Sequence, residues 1–390
     1  MSIKIGNQKI GVNEPVYFIA DIASNHGGDL VKAKELIYAC AESRVDAVKM
    51  QNFSAQTIVS DYGFKNLTDV NTHQSNWKAS VFDSYKAASI PFEWTLELKE
   101  LTEKLGMDYF TSPYSMQLVN LVAPYVSAFK LGSGDITWHE IIKLMASLEK
   151  PVLISTGASN LEEVRFAVEV ALSKTKDVIL LQCNTNYTAS HGEDITLTRT
   201  RFSNLNLSVL KIYSDLWPQL PIGLSDHTHG SLSVLGAVGL FNCSVVEKHL
   251  TLDSSLEGQD HAFSMMPNEW LKMVQETEQL KEQLKGIDTF EEKLKITSQN
   301  VDNAEFLNLA IGNGIKKVEV NEKNTIIVQR RAIRTNKNLA VGDIIKDEDL
   351  EVLRPCPVDA LPPYKIREII GKKITRDILE GDCISSVDFK

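Results

Sequence analysis

VLISTGAS (residues 152–159) opens on three apolar residues and closes on serine, threonine and glycine. A strand buried on both faces reads as such an apolar run, and the polar ending marks where the chain leaves the core. The same pattern recurs in FIADIASNHGG (18–28), AVKMQNF (47–53), FKLGSGD (129–135), ILLQCNTNY (179–187), IGLSDH (222–227) and VVEKHLT (245–251). Polar side chains gathered at the carboxyl ends of parallel strands are what an α/β barrel needs to build an active site. With DYFTSP (108–113) included, strands are expected at 17–23, 46–51, 108–112, 126–131, 151–155, 177–182, 221–224 and 243–248. Each is followed by a helical pattern, the clearest being 29–44, with apolar residues at 30, 33, 36, 37 and 40 and Asp29 as the N-cap. A doubly wound open sheet is the competing architecture. It has no preference for eight units, and no glycine-rich fingerprint follows the first strand. The expected fold is α/β: a (β/α)8 TIM barrel over residues 1–290.

Two stretches stand outside that alternation. Residues 54–91 are polar with scattered aromatics and too long for an ordinary βα loop, so they are expected to fold over the barrel mouth. Residues 268–295 read as a charged closing helix, and 291–324 as a linker. Beyond it, residues 325–390 alternate short extended runs and turns punctuated by Pro355, Pro357, Pro362 and Pro363. A domain of that size has a marginal core alone and should lean on the barrel or on a second subunit.

The net charge of −10 and the absence of a dense Lys/Arg block argue against nucleic acid or an anionic membrane as the main partner. The five cysteines show no paired spacing, and Cys183 and Cys243 read as small buried hydrophobes. No run approaches 18 apolar residues and the first ten residues lack an apolar signal core, so the expected compartment is the cytoplasm.

His227 and His249 end the seventh and eighth strands, neighbours in a closed barrel. Two imidazoles aimed into one mouth can hold a divalent cation and leave positions open for substrate and water; the bland alternative is two hydrogen-bonded loop residues. His229 is a rival ligand, while His26, His73, His139, His191 and His261 have no ligand spacing. Lys49 and Lys130 end strands two and four, where a buried ammonium is costly unless it meets an anion. Ser133-Gly134 and Ser155-Thr156-Gly157 add hydroxyl and backbone N–H donors, a set suited to phosphate and carboxylate together. A Schiff-base lysine or a simple ion pair is the alternative. Asp21, Asp135, Glu247 and Asp260 supply carboxylates around the same rim, with roles that spacing alone leaves open.

ADIASNHGG, DAVKMQNF, PFEWTLELKELTEKLGMDYFTSPY, KLGSGD, KPVLISTGAS, LLQCNTNY, IGLSDHTHG and EKHLT, in this order, resemble the sialic acid synthase family. These are the phosphoenolpyruvate-dependent nonulosonic acid synthases. RRAIRTNKNLAVGDII…LRP…IIGKKITRDILEGD resembles that family's antifreeze-like SAF (β-clip) domain. The resemblance implies condensation of phosphoenolpyruvate with an N-acetylmannosamine-like acetamido-hexose, releasing phosphate. It implies a divalent metal on His227 and His249, manganese first with magnesium or cobalt as alternatives, acting as a Lewis acid on the sugar aldehyde. Lys49, Lys130, Ser133, Ser155 and Ser225 match phosphoenolpyruvate-binding positions, and Gln51, Tyr187 and Asp260 sugar-contacting ones. Asp21, Asp135 and Glu247 inherit catalytic positions. A domain-swapped homodimer is implied too, in which an arginine of one SAF domain reaches the partner's sugar. Arg331 is its best match, with Arg330 the adjacent alternative.

The sequence also departs from the family pattern. Asp21 and Asp135 stand where Glu is common, which draws each carboxylate back by about 1.5 Å. Ser112, at an expected substrate-binding position, replaces a usual Thr, Thr185 takes another such position where Asn or Ser is usual, Gln259 replaces a common Pro, and LRPCPVDALPP lacks the usual turn glycines. YKAASIPFEW looks closer to the pseudaminic branch and KLGSGD to the sialic and legionaminic ones. Two other outcomes compete with this reading: a sugar-binding homologue weakened by the shortened carboxylates, and a barrel synthase making a shorter 3-deoxy-ketoacid from a sugar phosphate.

Overall fold

A short hairpin, β1 (Ile3–Ile5) with β2 (Gln8–Ile10), begins the chain in a computed structural model that describes residues 2–68, 70, 73–185, 187 and 194–390. Its Ile3, Ile5 and Ile10 join the barrel core, and Gln8 donates to the Asp46 carboxylate just ahead of a barrel strand. Eight parallel strands then close into a barrel: β3 (Tyr17–Asp21), β4 (Ala47–Asn52), β5 (Asp108–Pro113), β6 (Phe129–Leu131), β7 (Val152–Ser155), β8 (Val178–Cys183), β9 (Ile222–Asp226) and β10 (Val245–His249). β10 pairs with both β9 and β3, which completes the ring. Each strand is almost wholly buried, as apolar runs without alternation require when helices cover the outer face.

The helices follow as the 3.6-residue periodicity anticipates. Asp29 caps Leu30–Glu42 by accepting from the N–H groups of Val31 and Lys32. Asn160 and Glu163 form a reciprocal capping box at Leu161–Leu172. The closing helix is Pro267–Gln283, anchored by Trp270, whose indole N–H donates to the carbonyl of His249. That bond ties the end of β10 to the helix behind it.

The interval expected to be a linker is partly helical. Phe290–Gln299 and Ala304–Ile311 pack on Leu232–Phe241, and Phe306, Leu307 and Ala310 belong to the barrel core. The apolar stripe of the second helix explains the difference: left extended, it would expose those side chains to water. The tail folds around its own core of Ile333, Leu339, Ile345, Ile366, Ile369, Ile374, Ile378 and Ile384. It contains the antiparallel pair β11 (Ala332–Thr335) and β12 (Leu350–Leu353).

That tail lies on the barrel mouth of its own chain, together with the segment inserted after β4. Ile58 and Ser60 exchange backbone hydrogen bonds with Arg354, 3.0 and 2.8 Å long. Phe53, Ala55, Ile58, Val59, Tyr85, Ala88 and Tyr114 form a separate apolar cluster beneath. Gly134 permits the closest approach, since a Cβ there would sit 2.3 Å from the carbonyl oxygen of Gln329. The insertion and the tail thus make one roof.

His26, fully buried in the turn after β3, accepts from the Gly28 N–H through Nδ1 at 3.0 Å and stands edge-on to Trp94. Burial lowers its pKa to about 4. The unfolded chain, with an ordinary imidazole near 6.5, takes up the proton first, so this contribution to stability is full above about pH 6.5 and is lost as pH falls toward 4. His139 and His261 shift in the same direction through burial. Urea unfolding should therefore show a lower midpoint at pH 5 than at pH 7. A His26→Asn variant, which can still accept from Gly28, should narrow that gap; an unchanged gap would count against this reading.

Candidate active site

Side chains alternate across a strand, so residues two apart face the same way. Lys49 and Gln51 on β4, and Glu247 and His249 on β10, accordingly point together to the inside. Asp21 from β3 joins them, its Cα paired in register with both Lys49 and His249. They line a cavity of about 80 Å³ at the carboxyl end of the barrel, with Lys130, Ser133, Ser155, Ser225 and His227.

The charges in this cavity are buried and shared. Lys49 Nζ lies 2.7 Å from Asp21 Oδ2 and 3.2 Å from Glu247 Oε1, while Lys130 Nζ lies 3.4 Å from that same Glu247 oxygen. Ser225 donates to it at 3.1 Å, and Gln51 donates to Asp21 at 3.0 Å. Burial alone would push Lys49 down, but Asp21 and Glu247 outweigh it and raise the ammonium pKa. Lys130 has only a share of Glu247 and feels Lys49, so burial wins and its pKa is lowered. Burial would raise Glu247, yet Lys130 and Lys49 hold it down at about 2. Lys130 is the under-compensated cation, and an anion in the cavity would relieve it.

The two imidazoles sit beside this cluster with ring centroids 5.4 Å apart. His227 donates from Nδ1 to the carbonyl of Asn184 at 3.1 Å, which leaves Nε2 with its lone pair. His249 Nε2 is 3.5 Å from Asp21 Oδ2, and its Nδ1 has no partner. Burial lowers both pKa values, His227 to about 4, so both rings are neutral near pH 7. Phe263 stands edge-on to both rings, and Tyr187 edge-on to His227. Behind them Lys248 donates to Asp226 at 2.5 Å and to the Thr228 carbonyl at 2.6 Å, clamping the ends of β9 and β10 together. Neutral, adjacent imidazoles with an unshared nitrogen fit a divalent cation. Among the described residues no group of three or more His, Cys, Asp or Glu could hold a metal, so substrate or water oxygens would complete its shell.

Several buried polar atoms here have no protein partner: Ser155 Oγ, Glu247 Oε2, His249 Nδ1 and Arg354 Nε. Orphaned polar atoms around one cavity point to a ligand, because each costs about 1–3 kcal/mol if left unsatisfied. Gln51, Tyr187 and Asp260, expected at the sugar, line the same cavity. Burial raises the Asp260 carboxyl although its Oδ2 accepts from the Ser24 N–H.

Four expected site residues do not line the cavity. Ser112 is buried beside it, paired in register with Gln51, its hydroxyl unbonded. Thr185 is pinned by Glu322, whose Oε1 accepts from the N–H and hydroxyl of Thr185 and from the Ala158 N–H at 2.7–3.0 Å. Asp135 is bound to Arg331, whose Nε donates to it at 2.7 Å. Arg331 itself has no accessible surface, and its remaining N–H groups go to the carbonyls of Thr57, Tyr114 and Val352. Arg330, the alternative, bonds Glu163 and the Ala158 carbonyl.

Arg331, expected to face the cavity, is thus consumed in internal bonds, and the tail arginine that lines the cavity is Arg354. Its guanidinium lines the cavity, held by Gln329 at 2.6 Å and Tyr85 at 3.3 Å and lying over the Tyr114 ring. It is contributed by the tail of the same chain. The signal was present: the residue before a proline is held extended, and Arg354 bridges to Val59 as a strand would. Cys183, read as a small core residue, also reaches the cavity wall, whereas His229 does not. His191 and Asn186 lie outside the described residues.

The NeuB family matches residues 36–289 and the SAF domain residues 330–390. This chain belongs to the NeuB family. Within it, the chain is 32% identical to the N,N'-diacetyllegionaminic acid synthase of Legionella pneumophila, over 95% of this chain and 94% of that one. It is 26% identical to a pseudaminic acid synthase of Campylobacter jejuni along the full length of both. Among solved structures, the spore coat polysaccharide biosynthesis protein SpsE of Bacillus subtilis superposes with a TM-score of 0.78 at 25% identity, covering 100% of this chain and 99% of that one. NeuB membership thus agrees with the barrel and tail described above.

The two arginines should separate by experiment. Arg331→Ala removes the nearer cation from the buried Asp135 carboxylate, leaving Arg354 Nη2 3.6 Å away, and should cost about 3 kcal/mol in thermal or urea unfolding. Arg354→Ala leaves the 2.7 Å Arg331–Asp135 bond in place, so it should cost less stability while removing a donor from the cavity. Equal destabilisation by the two changes would contradict these assignments.

Proposed function

We propose that this chain condenses phosphoenolpyruvate with an acetamido-hexose of the N-acetylmannosamine type, giving a nine-carbon 2-keto-3-deoxy sugar acid and phosphate. The observation that carries the reading is the buried Lys49–Glu247–Lys130 cluster beside the His227/His249 pair in one cavity. The names of the NeuB relatives, synthases of legionaminic and pseudaminic acids, support the same reaction class.

Each reactant has complementary partners. Lys49 and Lys130, with the hydroxyls of Ser133, Ser155 and Ser225, suit the phosphate and carboxylate of phosphoenolpyruvate. Glu247, held ionised by both lysines, keeps the two ammoniums together rather than moving a proton. A divalent cation on His227 and His249 would supply Lewis-acid activation of the sugar aldehyde. The new bond joins C3 of phosphoenolpyruvate to the aldehyde carbon, and the aldehyde oxygen gains a proton. Water then adds at C2, loses a proton, and phosphate departs with cleavage of the C2–O bond. Asp260, with its raised carboxyl, suits proton donation on the sugar side, and Asp21 suits acceptance. Arg354 offers its unpaired Nε–H to a sugar carbonyl or hydroxyl.

Phosphate release from phosphoenolpyruvate with a panel of acetamido-hexoses tests the reading. Release should need both substrates, vanish with a chelator and return with Mn²⁺. Lys130→Met should raise KM for phosphoenolpyruvate by roughly 10- to 150-fold, the loss of about 1.5–3 kcal/mol from one charge-assisted hydrogen bond. Sugar binding without any phosphate release would favour a non-catalytic homologue, and turnover confined to phosphorylated aldoses a shorter-ketoacid synthase.

A further inference from the structure

Ala158 stands at φ +47°, in the left-handed region that residues with a side chain rarely adopt. It closes the turn Ser155–Thr156–Gly157 at the end of β7, which carries the unbonded Ser155 hydroxyl to the cavity. The turn is tightly enclosed: a Cβ at Gly157 would sit 2.5 Å from Thr185 Cγ2 and 2.9 Å from Ser133 Oγ. Its start is fixed within the barrel, because Thr156 donates to the Leu181 carbonyl from its N–H at 3.1 Å and from its hydroxyl at 2.9 Å. Gly157 donates its N–H to Ser133 Oγ at 2.9 Å, so the shape of the turn also sets a second cavity hydroxyl.

The groups that hold Ala158 itself come from far along the chain. Its N–H donates to buried Glu322 Oε1 at 2.7 Å, across 164 positions, and its carbonyl accepts from Arg330 Nη2 at 2.8 Å. The same Glu322 oxygen takes the N–H and hydroxyl of Thr185 just past β8, and Oε2 takes the Glu319 N–H at 3.0 Å. Ala23, also at φ +47°, makes the contrast: its N–H goes to Asp21, two residues back in its own turn. A strained conformation persists only where its surroundings over-determine it. At Ala158 those surroundings are two side chains from the stretch 322–330, and neither of them lines the cavity.

We propose that Glu322 and Arg330 are positioning residues, which hold Ala158 in its strained conformation and thereby aim the Ser155 and Ser133 hydroxyls at phosphoenolpyruvate. The inference rests on the synthase reading and adds to it a dependence of substrate affinity on residues outside the cavity. Released from these two bonds, Ala158 relaxes toward negative φ. The Gly157 N–H then turns away from Ser133, and both hydroxyls lose their aim.

Titration calorimetry of the full-length protein with phosphoenolpyruvate tests this through a double-mutant cycle. Glu322→Ala should weaken binding about tenfold, equivalent to about 1.4 kcal/mol, which is within what a non-glycine residue regains by leaving the left-handed region. In an Ala158→Gly background, where positive φ carries no steric cost, the same change should weaken binding by less than about threefold. Arg330→Met keeps the packing of the stem and should show the same dependence on residue 158; it carries the test if Glu322→Ala does not fold. KM for the sugar should stay close to the wild-type value in each variant. A clamp that only stabilises the fold would lower the melting temperature and leave the affinity of the folded protein alone. Unchanged phosphoenolpyruvate affinity, or an equal loss in both backgrounds, would therefore overturn the inference. Absence of phosphoenolpyruvate binding by the wild-type protein would instead remove the synthase reading, and this inference with it.

Discussion

Two ammoniums share one carboxylate inside a barrel that excludes water, and the rest of the site is arranged around that fact. Glu247 holds Lys49 and Lys130 in the core, yet a single carboxylate cannot neutralise both. Asp21 pairs with Lys49 as well, so two carboxylates meet two ammoniums, and burial still lowers the Lys130 pKa. The hydroxyls of Ser133, Ser155 and Ser225 line the same cavity, a donor set suited to an anionic ligand. The same barrel end carries the two neutral imidazoles, so the ammoniums and the imidazoles face one cavity.

The roof makes that electrostatics effective. Low dielectric strengthens each charge interaction only while bulk water stays out. The insertion after β4 and the C-terminal domain are joined by backbone hydrogen bonds between Ile58, Ser60 and Arg354. Arg331, with no accessible surface, fastens the insertion, the barrel and the tail through Thr57, Asp135 and Val352. Glu322, ahead of the tail, reaches into the barrel top and fixes Ala158 and Thr185 beside the Ser155–Gly157 turn. The tail is thus part of the cavity wall, and its small core of isoleucines is supported by the barrel it covers.

Much of this was legible in the sequence because strand ends in a closed barrel have a single inside. Once the eight apolar runs were recognised, the polar residues at their carboxyl ends, Lys49, Lys130, His227 and His249 among them, were expected at one mouth. The residues that escaped depend on contacts distant in sequence. Arg331 and Arg354 are both basic residues of the tail that reach Asp135, at 2.7 and 3.6 Å, and only the bonds of Arg331 to the carbonyls of Thr57, Tyr114 and Val352 show that it is consumed in holding the roof. Thr185 was expected among the substrate-binding residues, but Glu322, 137 residues later, bonds it. The supposed linker failed for a similar reason, since the apolar stripe of Ala304–Ile311 finds its partner on Leu232–Phe241.

The central claim is that this cavity binds phosphoenolpyruvate between Lys49 and Lys130. A crystal structure of the protein soaked with phosphoenolpyruvate tests it most directly. The account predicts ligand oxygens within hydrogen-bonding distance of both ammoniums and of the Ser155 hydroxyl, beneath the roof formed by Arg354. Ligand density elsewhere, with Lys130 still bonded only to Glu247 and Leu131, would contradict it.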